Sequence, residues 1–159
     1  MKSIRLWSLV CGAVMVTSIP SLATPGQAVT IEERARGAKR VVVATVAETM
    51  AQYERNEFGD EIIVTYAQLA VEEVLKGEPG GATLAVEGGT VDGITMRVSS
   101  LPSLSKGERG VFFLAPGRSG EFRPHLRGQG ILKLESGDRV PGSSLTLAEI
   151  RRSTRAAGK

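Results

Sequence analysis

Arg123, His125 and Arg127 are the residues of this chain best placed to do chemistry. They occupy alternate positions, and successive side chains of an extended strand point to opposite faces. The three are therefore expected to share one face, with Phe122, Pro124 and Leu126 on the other. Two guanidiniums flanking an imidazole make a basic stripe. Together with Arg97 and Arg118 it would bind sulfate, an acidic glycan or an acidic protein surface. The plainer account of the same residues is the solvated outer face of a half-buried strand.

Catalytic signatures are missing. His125 is the sole histidine, and no Gly-x-Ser-x-Gly nucleophile element accompanies it. Zinc enzymes draw on several His or Cys ligands, which this composition does not supply. The adjacent carboxylates Glu32-Glu33, Asp60-Glu61 and Glu72-Glu73 are not acid/base pairs by themselves, because strand neighbours face opposite ways. Carboxylates brought together from separate strands, as in a glycosidase, are the one enzymatic alternative. Gly88-Gly89 and Gly128-Gln129-Gly130 lack the strand-to-helix setting of a phosphate loop and read as turns. The expectation is a binding protein with no catalytic residue, metal or cofactor.

The N-terminus supplies the compartment. Met1, Lys2 and Arg5 lead into an apolar run from Leu6 to Ile19, followed by Pro20, Ser21, Leu22 and Ala23. A basic start, a short apolar middle and small residues at Ser21 and Ala23 make residues 1–23 a signal peptide with cleavage after Ala23. Residues 24–159 then form one domain, long enough to bury a core without crosslinks.

The full chain carries 20 Lys and Arg against 17 Asp and Glu, and a net charge of +3. Lys2 and Arg5 leave with the signal, so 18 basic residues face 17 acidic ones and the balance falls to +1. Such a chain has no global field with which to gather nucleic acid. The single cysteine, Cys11, lies within the signal, which excludes disulfides and thiolate metal sites from the mature protein. Val10 before it argues against lipid attachment. No second apolar span follows, so nothing holds the cleaved protein in a membrane. A cysteine-free exported chain points to a bacterial periplasm or exterior.

Period-two patterns dominate the rest. Thr30 and Glu33 form a capping box for a short helix from Ile31 to Ala38. A β-branched run from Arg40 to Tyr53 is strand one, and Glu54 to Asp60 is a hairpin loop. Strand two runs from Ile62 to Leu75 with Ile63, Ala67, Leu69 and Val71 on its apolar face. Its phase slips at Glu72-Glu73, which predicts a bulge. Shorter strands follow around Leu84 and Val86, then Ile94, Met96 and Val98. Val111 to Ala115 is apolar enough to be buried on both sides. Phe122 to Leu126 is an edge or bulged strand because of Pro124, and Ile131 to Leu134 is the last strand. Thr146 and Glu149 cap a C-terminal helix that turns Leu147 and Ile150 inward and carries Arg151, Arg152 and Arg155 toward its end.

This succession resembles the netrin-like domains, the group that includes the tissue inhibitors of metalloproteinases, and exported bacterial proteins of the same pattern. The likeness rests on the short helix and long Val-rich strand, on Val71-Glu72-Glu73-Val74-Leu75-Lys76-Gly77 and its Gly-rich turn, and on Gly107-Glu108-Arg109-Gly110-Val111-Phe112-Phe113-Leu114-Ala115. It spans roughly Ile31 to Arg155. It implies a mainly β fold, a five-stranded Greek-key barrel of the oligonucleotide/oligosaccharide-binding type with short N- and C-terminal helices. It also implies a protein partner, with exported proteases, metalloproteases among them, as the candidates.

The inhibitors of that family present an N-terminal cysteine, tethered by disulfides, to the protease zinc. Cleavage after Ala23 would expose Thr24 and Pro25 instead, with no cysteine to anchor them, so the family's device is absent and only an untethered terminus is available for contact. The functional expectation is an exported protein-binding domain. Its alternative is a module for an anionic glycan or envelope polymer, bound through the Arg123/His125/Arg127 face.

Overall fold

The computed structural model describes residues 29–158. The expected signal segment, with Thr24 and Pro25, lies outside them. Among the described residues no helix is long and apolar enough to cross a membrane.

The chain is mainly β. Helix α1 (Ile31–Gly37) precedes β1 (Arg40–Arg55) and β2 (Glu61–Lys76). Then come β3 (Ala82–Glu87), β4 (Gly89–Val91), β5 (Ile94–Met96), β6 (Arg109–Pro116), β7 (Phe122–Pro124), a 3-10 turn (Arg127–Gly130), β8 (Ile131–Lys133) and α2 (Leu147–Ala157). Both expected capping boxes form: Thr30 and Glu33 satisfy each other's backbone N–H at α1, and Thr146 and Glu149 do so at α2.

Five strands make a partly closed ring in the order β1-β2-β3-β7-β6, with β6 returning to pair with β1. Strand β8 joins the same edge of β6 that holds β7: Gly110 to Phe112 pair with β8, and Leu114 to Pro116 with β7. The β1–β2 turn is built by Asn56, whose Oδ1 accepts from the N–H groups of Phe58 and Asp60, each at 2.9 Å. The ring is weakest between β3 and β7, which meet at a single parallel pair, Leu84 with Phe122. Pro124 has no N–H with which to extend that ladder.

The bulge expected at Glu72-Glu73 is present. Val43 pairs with Glu73 and Ala44 with Val71, which leaves Glu72 as the extra residue. Glu72 then reaches Thr45 at 2.7 Å and Arg109 at 2.8 Å, while Glu73 pairs with Arg151 of α2 at 2.6 Å. Two neighbouring acids therefore tie the sheet to partners on different sides.

β1 and β6 are buried on both faces because two cores lie against them. Val42, Ala44, Val46, Phe112 and Leu114 point into the ring and meet Leu69, Leu84 and Val86. Val41, Val43, Val111 and Phe113 point the other way, against Ala35 and Ala38 near α1 and Leu147 and Ile150 of α2. This alternation of two apolar sets accounts for the near-continuous hydrophobic runs in both strands. Arg40 opens β1 yet is only 4% exposed. Its guanidinium donates to the carbonyl oxygens of Gly80 and Gly81 and lies 5.7 Å from the centre of the Phe122 ring.

Candidate functional site

The basic stripe expected on the Arg123–Arg127 segment does not form. β7 ends at Pro124, His125 lies in a turn, and Leu126 and Arg127 both adopt left-handed backbone, at φ 56° and 55°. Two consecutive left-handed residues break the period-two alternation on which a shared face depends.

His125 is thereby separated from the arginines. Its N–H donates to the carbonyl of Phe113 at 2.7 Å, and its half-buried ring packs on Gly37, where any side chain would collide with it. Burial lowers its pKa below the ordinary 6.5, and the nearby Lys76 ammonium adds to the effect. Lys76 itself caps the end of α1 by donating to the carbonyls of Ala35, Arg36 and Ala38.

The turn that disperses the stripe gathers a different site. Arg118, Arg123 and Arg127 all line a cleft of about 420 Å³ beside the open seam between β3 and β7. Glu54, Glu57, Glu87 and Glu121 line it too, so its cations meet acids. Arg118 pairs with Glu57 at 3.3 Å. Arg127 reaches Glu87 at 3.4 Å and donates to the Ser100 hydroxyl at 3.0 Å. Burial raises the Glu121 pKa, but the backbone N–H groups of Arg118 and Ser119, with Arg123 nearby, outweigh it and hold the carboxylate below its ordinary value. Tyr66 donates to Glu54, and that bond, with burial and the carboxylate's charge behind it, pushes the phenol up to about 12.

The backbone along one wall lacks a second strand partner, although Ala85 and Val86 are themselves only 6% and 4% exposed. Beyond Leu84, residues Ala85, Val86 and Glu87 of β3 pair with β2 on one edge and, among the described residues, with no strand on the other. The cleft therefore offers side chains of both signs, a tyrosine and a short run of unpaired strand edge.

Arg97 lies elsewhere. It follows β5 and lines a second cavity of about 650 Å³, enclosed by the β4–β5 hairpin and the 97–104 loop. That hairpin turns at Asp92 and Gly93, both at positive φ (50° and 80°). The sequence pattern predicts a turn at Gly88-Gly89 and a strand only at β5, whereas β4 begins at Gly89; the Asp-Gly dipeptide is the signal for the whole hairpin. Gly89 seats the hairpin on the ring, because a Cβ there would strike the Thr65 hydroxyl.

The acidic partners of the cleft carried no sequence signal, since Glu54 and Glu57, Glu87, and Glu121 belong to three separate stretches joined only by the fold. Among the described residues no group of three or more metal-ligating side chains is positioned to hold an ion. No family model and no curated protein matches the chain.

Proposed function

We propose that this protein is an exported, non-enzymatic binding domain, a netrin-like barrel of the oligonucleotide/oligosaccharide-binding type, and that the cleft between β3 and β7 receives an extended segment of a protein partner. The observation that carries the reading is the unpaired edge of β3 at Ala85–Glu87, lying among charged groups of both signs. An extended peptide can add main-chain hydrogen bonds to such an edge, while flanking charges select its side chains. Arg118 and Arg127 are each matched by an acid, which suits a mixed-charge polypeptide better than a polyanion. An exported metalloprotease is the candidate partner suggested by the family resemblance.

The test is binding of the purified protein to exported metalloproteases of its own host, beside an Arg118→Glu/Arg123→Glu variant. Charge reversal should weaken a cleft-bound complex at least tenfold, which corresponds to about 1.4 kcal/mol. An interaction indifferent to both substitutions would put the interface elsewhere, and no interaction with any of these proteases would remove the candidate.

A further inference from the structure

We infer that the cavity beneath the β4–β5 hairpin is a separate ligand site, and that it takes a small, hydroxyl-rich carboxylate of the sugar-acid class. Of the four arginines that the sequence singled out, Arg118 and Arg127 are ion-paired and Arg123 faces Glu121. Arg97 has neither an ion pair nor a side-chain hydrogen bond among the described residues, and it stands exposed at the cavity wall. A guanidinium presents a planar fork that matches a carboxylate through two parallel hydrogen bonds.

The rest of the lining fits the remainder of such a ligand. Thr49, Ser99 and Ser103 contribute hydroxyls with no side-chain hydrogen bond among the described residues, and a hydroxyl both donates and accepts. Leu101 and Leu104, both partly exposed, supply an apolar surface for the C–H face of a sugar ring. The one acid in the lining, Glu87, is paired with Arg127, which reduces its repulsion of an incoming anion. At about 650 Å³ the space lies in the usual range of small-molecule sites.

The experiment is an NMR titration of the purified protein with galacturonate, using neutral galactose as the control for charge. Saturable shifts are expected at the amides of the 97–104 loop and the β4–β5 hairpin, with galactose at least about tenfold weaker, the effect of removing a charge-assisted hydrogen bond. Arg97→Ala should weaken galacturonate to a similar degree, and Arg97→Lys should restore only part of the loss because it keeps the charge without the fork. An Arg118→Ala/Arg123→Ala variant, whose two side chains line the cleft and not this cavity, should bind galacturonate as the wild type does. Absence of saturable binding, equal affinity for galactose, or full affinity in Arg97→Ala would each overturn the inference. None of these outcomes bears on the partner cleft, which contains no Arg97.

Discussion

The two halves of β1 show how one strand serves two purposes. From Val41 to Thr45 it is paired on both edges, by β2 and by β6, and Val41 to Ala44 and Val46 are each no more than 1% exposed. From Glu48 to Arg55 only β2 pairs with it, Met50 is 61% exposed and Tyr53 38%. The first half carries the packing between the two cores. The second reaches past them, so its residues are free to line both cavities: Thr49 and Ala51 one, Glu54 and Arg55 the other. Core packing and the lining of the two cavities are thus divided along a single strand, and a substitution should report on one or the other according to its position.

The largest expected effect lies where β1 pairs with β6. Phe113 is fully buried between the sheet and α2, and Phe113→Ala should cost about 3–5 kcal/mol by denaturant unfolding. Phe58 at the tip of the β1–β2 turn is 82% exposed, and Phe58→Ala should stay within about 0.5 kcal/mol of wild type. Comparable losses at both sites would abolish the distinction between the halves.

The same division governs what was legible in the residues. Helices announced by capping boxes, the double-faced apolar run of β6 and the Glu72 bulge all rest on local pattern, and each is found where the pattern put it. The stripe failed because alternation was extended through Pro124 into a segment that needs two left-handed residues, a conformation that Leu126 and Arg127 do not advertise. Buried Arg40 was equally hidden. Its partners are backbone carbonyls of a Gly-rich turn some forty residues away, and backbone acceptors leave no mark in side-chain sequence. The β3–β7 opening depends on register between strands far apart in the chain, so no local signal could place it.

An intermediate effect should appear with pH, again confined to the packed half. Burial raises the Glu72 pKa, but hydrogen bonds from Thr45 and Arg109 and the guanidinium charge outweigh it, so the folded value lies below 4.5. A depressed carboxylate stabilises the fold above its unfolded pKa, and that contribution is lost as pH falls through the folded value. His125, lowered from 6.5 by burial and then by Lys76, acts in the same direction: the unfolded chain binds its proton first, so stability declines as pH falls below 6.5 toward the folded value. The unfolding midpoint should therefore drop in two stages on acidification. His125→Gln should flatten the upper stage and Arg109→Ala should diminish the lower, each by a modest amount because both groups are partly exposed. A midpoint in Arg109→Ala with unchanged acid sensitivity would remove Glu72 from the account.

A small effect on stability is also expected in the exposed half, where Tyr66 of β2 meets Glu54 of β1 across the cleft. The bond to the carboxylate favours the neutral phenol, which is why its pKa stands at about 12. Ultraviolet titration should show one of the two tyrosines ionising late, and Glu54→Gln should bring that transition down toward the ordinary value near 10. Unfolding free energy should change little at neutral pH, by about 1 kcal/mol or less, since the bond joins two partly exposed groups outside either core. A large loss of stability in Glu54→Gln would mean that the distal half of β1 carries the fold as the proximal half does. A phenol that titrates normally in the wild type would instead mean that the cleft is more open to water than the Tyr66–Glu54 contact implies, leaving its other charged groups without this fixed pair among them.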